Sequence, residues 1–202
     1  MFIIGITGGS GTGKSSARRA LRALGALTLD CDAMYHSLLI HDAELKAELA
    51  SRFTDISQGG IIDRKRLAVI VFNDPSALLE LNAISHKYVR LEIEREIANW
   101  DAQGGKVAAI DAIALIESGM DEKCDIVVGV SAPLELRISR IMKRDRITRK
   151  QAEMRINAQQ QASFYEENCD YMLEGNYKKT AIFENKCYDF FDAILREKNV
   201  LS

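Results

Sequence analysis

Short apolar runs alternate along the chain with longer stretches of helical period. Residues 2–6 form an apolar run ahead of a glycine-rich segment. A run of this length without polar alternation suits a strand buried on both faces of a parallel sheet. Comparable runs predict strands near 26–30, 106–111, 125–130 and 170–174. Residues 15–24 carry the first helical pattern. The alternation of strand and helix predicts an α/β fold in three layers, with a five-stranded parallel sheet and helices on both sides. About 75 residues separate the second and third strands, too many for a simple crossover and mostly helical in pattern. Within them Asp74-Pro75 is a cap followed by proline at the first helical position, opening a helical stretch expected to break once between His86 and Trp100.

The segment joining the first strand to the first helix holds the most specific chemistry. Gly8, Gly13, Lys14 and Ser15 match G-x-x-x-x-G-K-[ST], the phosphate-binding loop, between a predicted strand and a predicted helix as the motif requires. A loop wrapped around phosphates must turn its amide N–H groups inward, through backbone angles that side chains obstruct. Gly8, Gly9, Gly11 and Gly13 remove that obstruction, with Thr12 among them. The helix that follows adds its unpaired N-terminal N–H groups, Lys14 can reach the β and γ phosphates, and Ser15 can ligate Mg²⁺.

Three carboxylates follow apolar strands. The second run ends in Asp30-Cys31-Asp32 and the third in Asp111. In parallel α/β sheets the residues just past the strands' carboxyl ends line the ligand crevice. A kinase needs one carboxylate near the attacking hydroxyl and another near the metal, which makes Asp32 a candidate base and Asp111 a candidate for holding Mg²⁺ through water. Helix capping competes for Asp32, which precedes a helical stretch.

Charge adds a further feature. The whole chain carries a net −2, giving no general reason to expect nucleic acid, yet residues 137–155 hold eight Lys or Arg against one Asp and one Glu. Pro133 suits a first helical turn, and Thr148 with Gln151 makes a capping box, so this segment reads as two helices turning near 145–147. Arg137, Arg140 and Arg144 recur at spacings of three and four and share a face. They suit either a solvated surface or a mobile lid bringing arginines onto a transferring phosphoryl group. His86 and Arg90, four apart, likewise share a face, and by themselves read more readily as structural residues than as a site.

With 47% apolar and 28% charged residues in 202, the composition excludes disorder. No run approaches a membrane-spanning length, and the start of the chain lacks a signal-peptide pattern. The four cysteines lack C-x-x-C spacing and read as reduced thiols of a cytoplasmic protein.

Assembled, these features resemble the dephospho-CoA kinase family over most of the chain. The matching stretches are ITGGSGTGKSS, LTLDCDAMYHSLL, IDRKRLAVIVFNDPSALLELNAISHKYVRLEI, IDAIALIESGMDEKCDIVVGVSAP and RISRIMKRDRITRKQAEMRINAQ. The resemblance implies transfer of the γ-phosphoryl group of ATP·Mg²⁺ to the ribose 3′-hydroxyl of dephospho-CoA. It implies a single kinase domain with a nucleotide-binding core (1–32, 104–136, 166–202), a helical acceptor region (33–103) and an arginine-rich lid (137–165). The family's loop positions fall on Gly8 to Ser16, its catalytic acid on Asp32 and its lid arginines on Arg140 and Arg144. Its acceptor-side residues fall on Arg64, His86 and Arg90, and the first and last residues of its D-x-P-L-L-F-E on Asp111 and Glu117. The chain departs from the family pattern at Lys87, at Ile113 and around Gly175, positions that bear on acceptor and adenine contacts. A monomer or weak homo-oligomer acting on small molecules, away from membrane and nucleic acid, is expected.

Two other readings remain open to test. One is a related kinase acting on a nucleoside, a nucleotide or shikimate. The other is a GTP-dependent switch, although the Asn-Lys pair at Asn185-Lys186 runs into Cys187-Tyr188 and misses the N-K-x-D spacing that reads guanine.

Overall fold

The computed structural model describes residues 1–177 and 179–201, with the side chain of Gln58 outside that set. Five strands, β1 (Phe2–Thr7), β2 (Leu27–Asp30), β5 (Val107–Asp111), β6 (Ile126–Ser131) and β7 (Tyr171–Glu174), form one parallel sheet in the order β2-β5-β1-β6-β7. Each lies within a residue of its predicted position. β1 is central, with Ile4 in register with Ala109 on one side and Ile126 on the other. All five β5 residues are buried, which is why this strand shows no polar alternation.

The chain divides into two compact units. The first comprises residues 1–29 and 99–202. Its sheet is flanked by α1 (Lys14–Ala23) and α9 (Thr180–Glu197), whose Leu21, Phe183, Phe191 and Leu195 join Ile4, Ile6, Val128 and Val130 in one apolar core. Two aspartates set strand register. Asp125, just before β6, accepts from Ile3 N and donates its own amide to Ile3 O. Asp170, just before β7, grips Val127 in the same way. The basic segment folds as α6 (Leu134–Asp145) and α7 (Arg149–Asn157), the latter opening on the Thr148–Gln151 capping box, and α8 (Ala162–Asn168) follows. Pro133 stands at the N-cap of α6, one residue before the helix.

The second unit, residues 30–98, contains α2 (Cys31–His41), α3 (Ala43–Arg52), a small antiparallel pair β3 (Ser57–Gln58) and β4 (Ile61–Ile62), α4 (Arg64–Asn73) and most of α5 (Pro75–Ala102). It has its own core around Leu45, Leu49, Phe53, Ile56 and Leu67. The expected break in the long helix is absent. α5 runs unbroken for 28 residues, because no glycine or proline follows Pro75 until Gly104. Asp74 caps its start through bonds from Ser76 N and Ala77 N.

The four cysteines are free, and burial pushes the Cys124, Cys169 and Cys187 thiols up to about 12, 11 and 12. No helix among the described residues is long and apolar enough to cross a membrane.

Candidate active site

The site begins where β1 runs out. Gly8, Gly11 and Gly13 take φ values of 127°, 79° and 117°, in the region L side chains rarely adopt. At Gly8 a side chain is excluded twice over, since a Cβ there would stand 2.2 Å from the carbonyl oxygen of Val130 on β6. Gly13 is the N-cap of α1, which begins at Lys14, one residue earlier than its pattern predicts. Thr12 Oγ1 donates to Gly9 O at 2.9 Å, and Lys14 Nζ reaches back to Gly8 O at 2.6 Å and Gly9 O at 3.3 Å. The lysine ammonium therefore closes over the loop that precedes it. Ser15 is exposed at the first turn, while Ser16 is buried. Together these features put a helix N-terminus and the Lys14 ammonium at one glycine-rich loop, an arrangement chemically suited to an anion.

The next three carbonyls of the loop, of Ser10, Gly11 and Thr12, meet arginines from α6 instead. Arg140 donates to Gly11 O and Thr12 O at 3.0 Å each, and to Gly175 O at 2.9 Å and Tyr177 O at 3.0 Å. One guanidinium thus joins the phosphate loop to the segment that follows β7. Arg137, one turn earlier, bonds to Ser10 O. Arg144 instead holds Asp145 through two bonds of 2.7 and 2.9 Å, and Arg155 pairs with the same carboxylate. The three arginines that share a helix face by spacing therefore separate by partner: two serve the loop and one serves the helix pair.

At the end of β5, Asp111 is buried and faces Arg18 of α1 at 3.5 Å. Arg18 lies one turn after Ser15 on the same helix. Beyond Asp111, Thr7 Oγ1 holds Ile113 O at 3.1 Å, and Glu117 is exposed. β2 ends at Asp30, which proves to be the N-cap of α2, accepting from Ala33 N at 3.0 Å. The competing capping role considered for Asp32 is thereby filled by its neighbour. Asp32 sits in the first helical turn with an exposed side chain.

In the second unit Arg64, first residue of α4, meets His36 Nε2 of α2 at 2.8 Å. His86 is half-buried on α5, and burial first, then the charge of Arg90, lowers its pKa below the ordinary histidine value. Lys87 bonds to Glu48 of α3 at 2.7 Å, and Tyr88 bonds to the same carboxylate at 2.7 Å. A lysine at this position is thus part of the tie between α3 and α5.

A family model described as "CoaE: Dephospho-CoA kinase" matches residues 2–180. The chain belongs to the dephospho-CoA kinase family. A dephospho-CoA kinase of Anaeromyxobacter dehalogenans is 37% identical over 176 residues, covering 86% of this chain and 83% of the relative. One from Lactobacillus johnsonii is 34% identical over 197 residues, covering 96% and 99%. Among solved structures, TT1252 from Thermus thermophilus superposes with a TM-score of 0.81 at 30% identity, covering 97% of both chains. The dephospho-CoA kinase family is one of phosphate-loop kinases, and the sheet, the loop and the helices around it agree with that membership.

Two residues of this geometry were not singled out in the sequence. Arg18, the partner of Asp111, could have been found from its place one turn after Ser15. Gln159, the partner of Ser10, could not, because it lies 149 residues away.

Proposed function

We propose that this chain transfers the γ-phosphoryl group of ATP to the ribose 3′-hydroxyl of dephospho-CoA, releasing coenzyme A and ADP in the cytoplasm. The observation that carries this reading is the loop from Gly8 to Ser15 with Lys14 folded over it, in a chain of this family. Lys14 holds the β and γ phosphates. Asp32 accepts the proton of the attacking hydroxyl as its oxygen bonds to γ-phosphorus. The bond from that phosphorus to the bridging oxygen breaks, and its electron pair leaves on ADP. Arg64, His86 and Arg90 receive the acceptor, and Glu117 adds a contact beside Asp111.

An exposed serine hydroxyl at the start of α1 and a carboxylate at the end of β5 are the hard oxygen donors that Mg²⁺ accepts. Ser15 would hold the ion directly and Asp111 through water. Mg²⁺ would neutralise charge on the phosphate oxygens. Among the described residues no three acidic, His or Cys side chains form a metal cage, so the nucleotide and water would supply the other ligands. Arg140 supports transfer from behind the loop by fixing the Gly11 and Thr12 peptides, and Arg144 supports it by holding the α6–α7 turn. Electrostatic stabilisation works through donors that are already in place when charge develops.

The deciding experiment is steady-state ADP release with dephospho-CoA, nucleosides, nucleotides and shikimate as acceptors. Dephospho-CoA should be turned over far faster than the others, and equal rates would remove the assignment. A binding titration with ATP and GTP separates the kinase from a switch protein, with ATP expected to be preferred. Asp32→Asn should keep ATP affinity and lose about 10² to 10⁴ in turnover, the range for a missing general base.

A further inference from the structure

Ser10 is buried in the phosphate loop, and each of its polar atoms is taken by a side chain from far along the chain. Its amide donates to Gln159 Oε1 at 2.8 Å, its carbonyl accepts from Arg137 Nε at 3.0 Å, and its hydroxyl accepts from Gln159 Nε2 at 2.8 Å. Arg137 also donates to Gln159 Oε1 at 3.3 Å, closing a ring of three residues. The fit leaves no room for a neighbour. A Cβ on Gly9 would stand 2.3 Å from a terminal nitrogen of Arg137 and 3.0 Å from Gln159 Oε1. Arg137 lies in the first turn of α6, and Gln159 lies two residues past the end of α7. They therefore bracket the helix pair, which has its own apolar centre of Ile138, Ile141, Ala152 and Ile156.

We propose that Arg137 and Gln159 are positioning residues that lock the Ser10 peptides in the orientation needed for polyphosphate binding, and tie that orientation to the base of the helix pair. Turning amides inward leaves carbonyls on the outside of a phosphate loop. Here three consecutive carbonyls, of Ser10, Gly11 and Thr12, end on guanidinium groups. Without Arg137 the Ser10 carbonyl loses its partner, and its peptide is free to rotate toward the anion, where a carbonyl oxygen repels phosphate oxygens. Gln159 holds the adjoining Gly9–Ser10 peptide through the Ser10 amide, so the peptides on both sides of Ser10 are fixed. A residue that only packed α6 onto the sheet would contribute to stability and leave anion affinity alone.

This inference rests on the reading that the loop from Gly8 to Ser15 holds the phosphates. Calorimetric titration of the unmodified full chain with inorganic tripolyphosphate tests that reading separately, because absence of binding there sinks the loop assignment. Arg137→Met and Gln159→Leu should each weaken tripolyphosphate and ATP to the same degree, by about 5- to 50-fold for a lost charged or buried hydrogen bond. The double variant should lose little more than the worse single one, because either change opens the same ring. Arg137→Lys should recover part of the affinity. Ser10→Ala, which deletes only the hydroxyl contact and keeps the fold readily, should weaken tripolyphosphate by about threefold. The proposal is overturned if melting temperature falls while both affinities stay at the level of the unmodified protein, if the two single losses simply add, or if Ser10→Ala binds undiminished.

Discussion

Lys14 is the residue on which the site depends most directly. Its ammonium is tied to the Gly8 and Gly9 carbonyls, so it is already held above the loop when nucleotide arrives. Lys14→Ala should weaken ATP by about tenfold or more through the lost charged contact. It should slow transfer by about 10² to 10³, because charge on the phosphates persists into the transition state. ADP release measured at saturating ATP checks the second loss, and an undiminished rate would count against the lysine's role. His86 carries a different prediction. Burial, and then the Arg90 charge, lowers its pKa from the ordinary 6.5. As pH falls through about 6.5 the unfolded chain takes up a proton that the folded chain refuses, so stability drops on the acid side and is regained as pH rises. His86→Gln should remove this component, narrowing the gap in melting temperature between about pH 7.5 and about pH 5.5. An identical gap in both proteins would place the acid sensitivity elsewhere. At this scale the motif residues were legible because the loop's spacing encodes its chemistry locally. The partners of Ser10 and the pairing of Lys87 with Glu48 were not, because each is set by packing between distant segments.

At the scale of elements, the strands could be read because burial on both faces leaves continuous apolar runs, and the caps at Asp74 and Thr148 could be read because capping is local. The two-residue strands of 57–62 carry too few positions to show any period, and the imagined break in α5 had no glycine or proline to cause it. The join between β7 and the phosphate loop was also hidden. Gly175 N donates to Ser131 O at 2.7 Å, its carbonyl accepts from Arg140, and a Cβ on it would lie 2.3 Å from Thr12 O. The glycine at the end of YMLEG is therefore required by the close approach of backbone, whatever it does for adenine. Gly175→Ala must push the loop or β7 aside, at about 1–3 kcal/mol for overpacking a site that cannot yield. Chemical denaturation should report that loss, and ATP affinity should fall with it because the displaced atom belongs to Thr12. If stability fell and ATP affinity did not, the displacement would lie in β7 alone. Asp125→Ala tests the strand clamp without touching the loop. It leaves the Ile3 amide without its carboxylate partner and should cost about 0.5–1.5 kcal/mol, with ATP affinity retained.

Among the described residues the sheet and the 30–98 unit each have an apolar core of their own, and the proposed division of labour follows those two. The core around Ile4, Leu21, Phe183 and Phe191 supports the sheet, α1 and the phosphate loop, while the core around Leu45, Leu49, Phe53 and Ile56 supports the helices that carry Arg64, His86 and Arg90. Leu21 and Leu49 are both fully buried, so truncating either to alanine removes the same atoms from a comparable environment. Each should cost about 2–5 kcal/mol in stability. Their functional consequences should differ, because losses at sites without shared partners act independently. Well below the melting transition, Leu49→Ala should raise KM for dephospho-CoA and leave tripolyphosphate affinity at its original value. Leu21→Ala, which loosens α1 beneath Lys14 and Ser15, should weaken tripolyphosphate and leave the acceptor KM nearly unchanged at saturating ATP. Measuring each variant at the same interval below its own melting transition controls for destabilisation itself. If the two truncations altered both constants alike, the phosphate and acceptor functions would not be divided between the two cores, and the roles of Arg64, His86 and Arg90 would need to be reassigned.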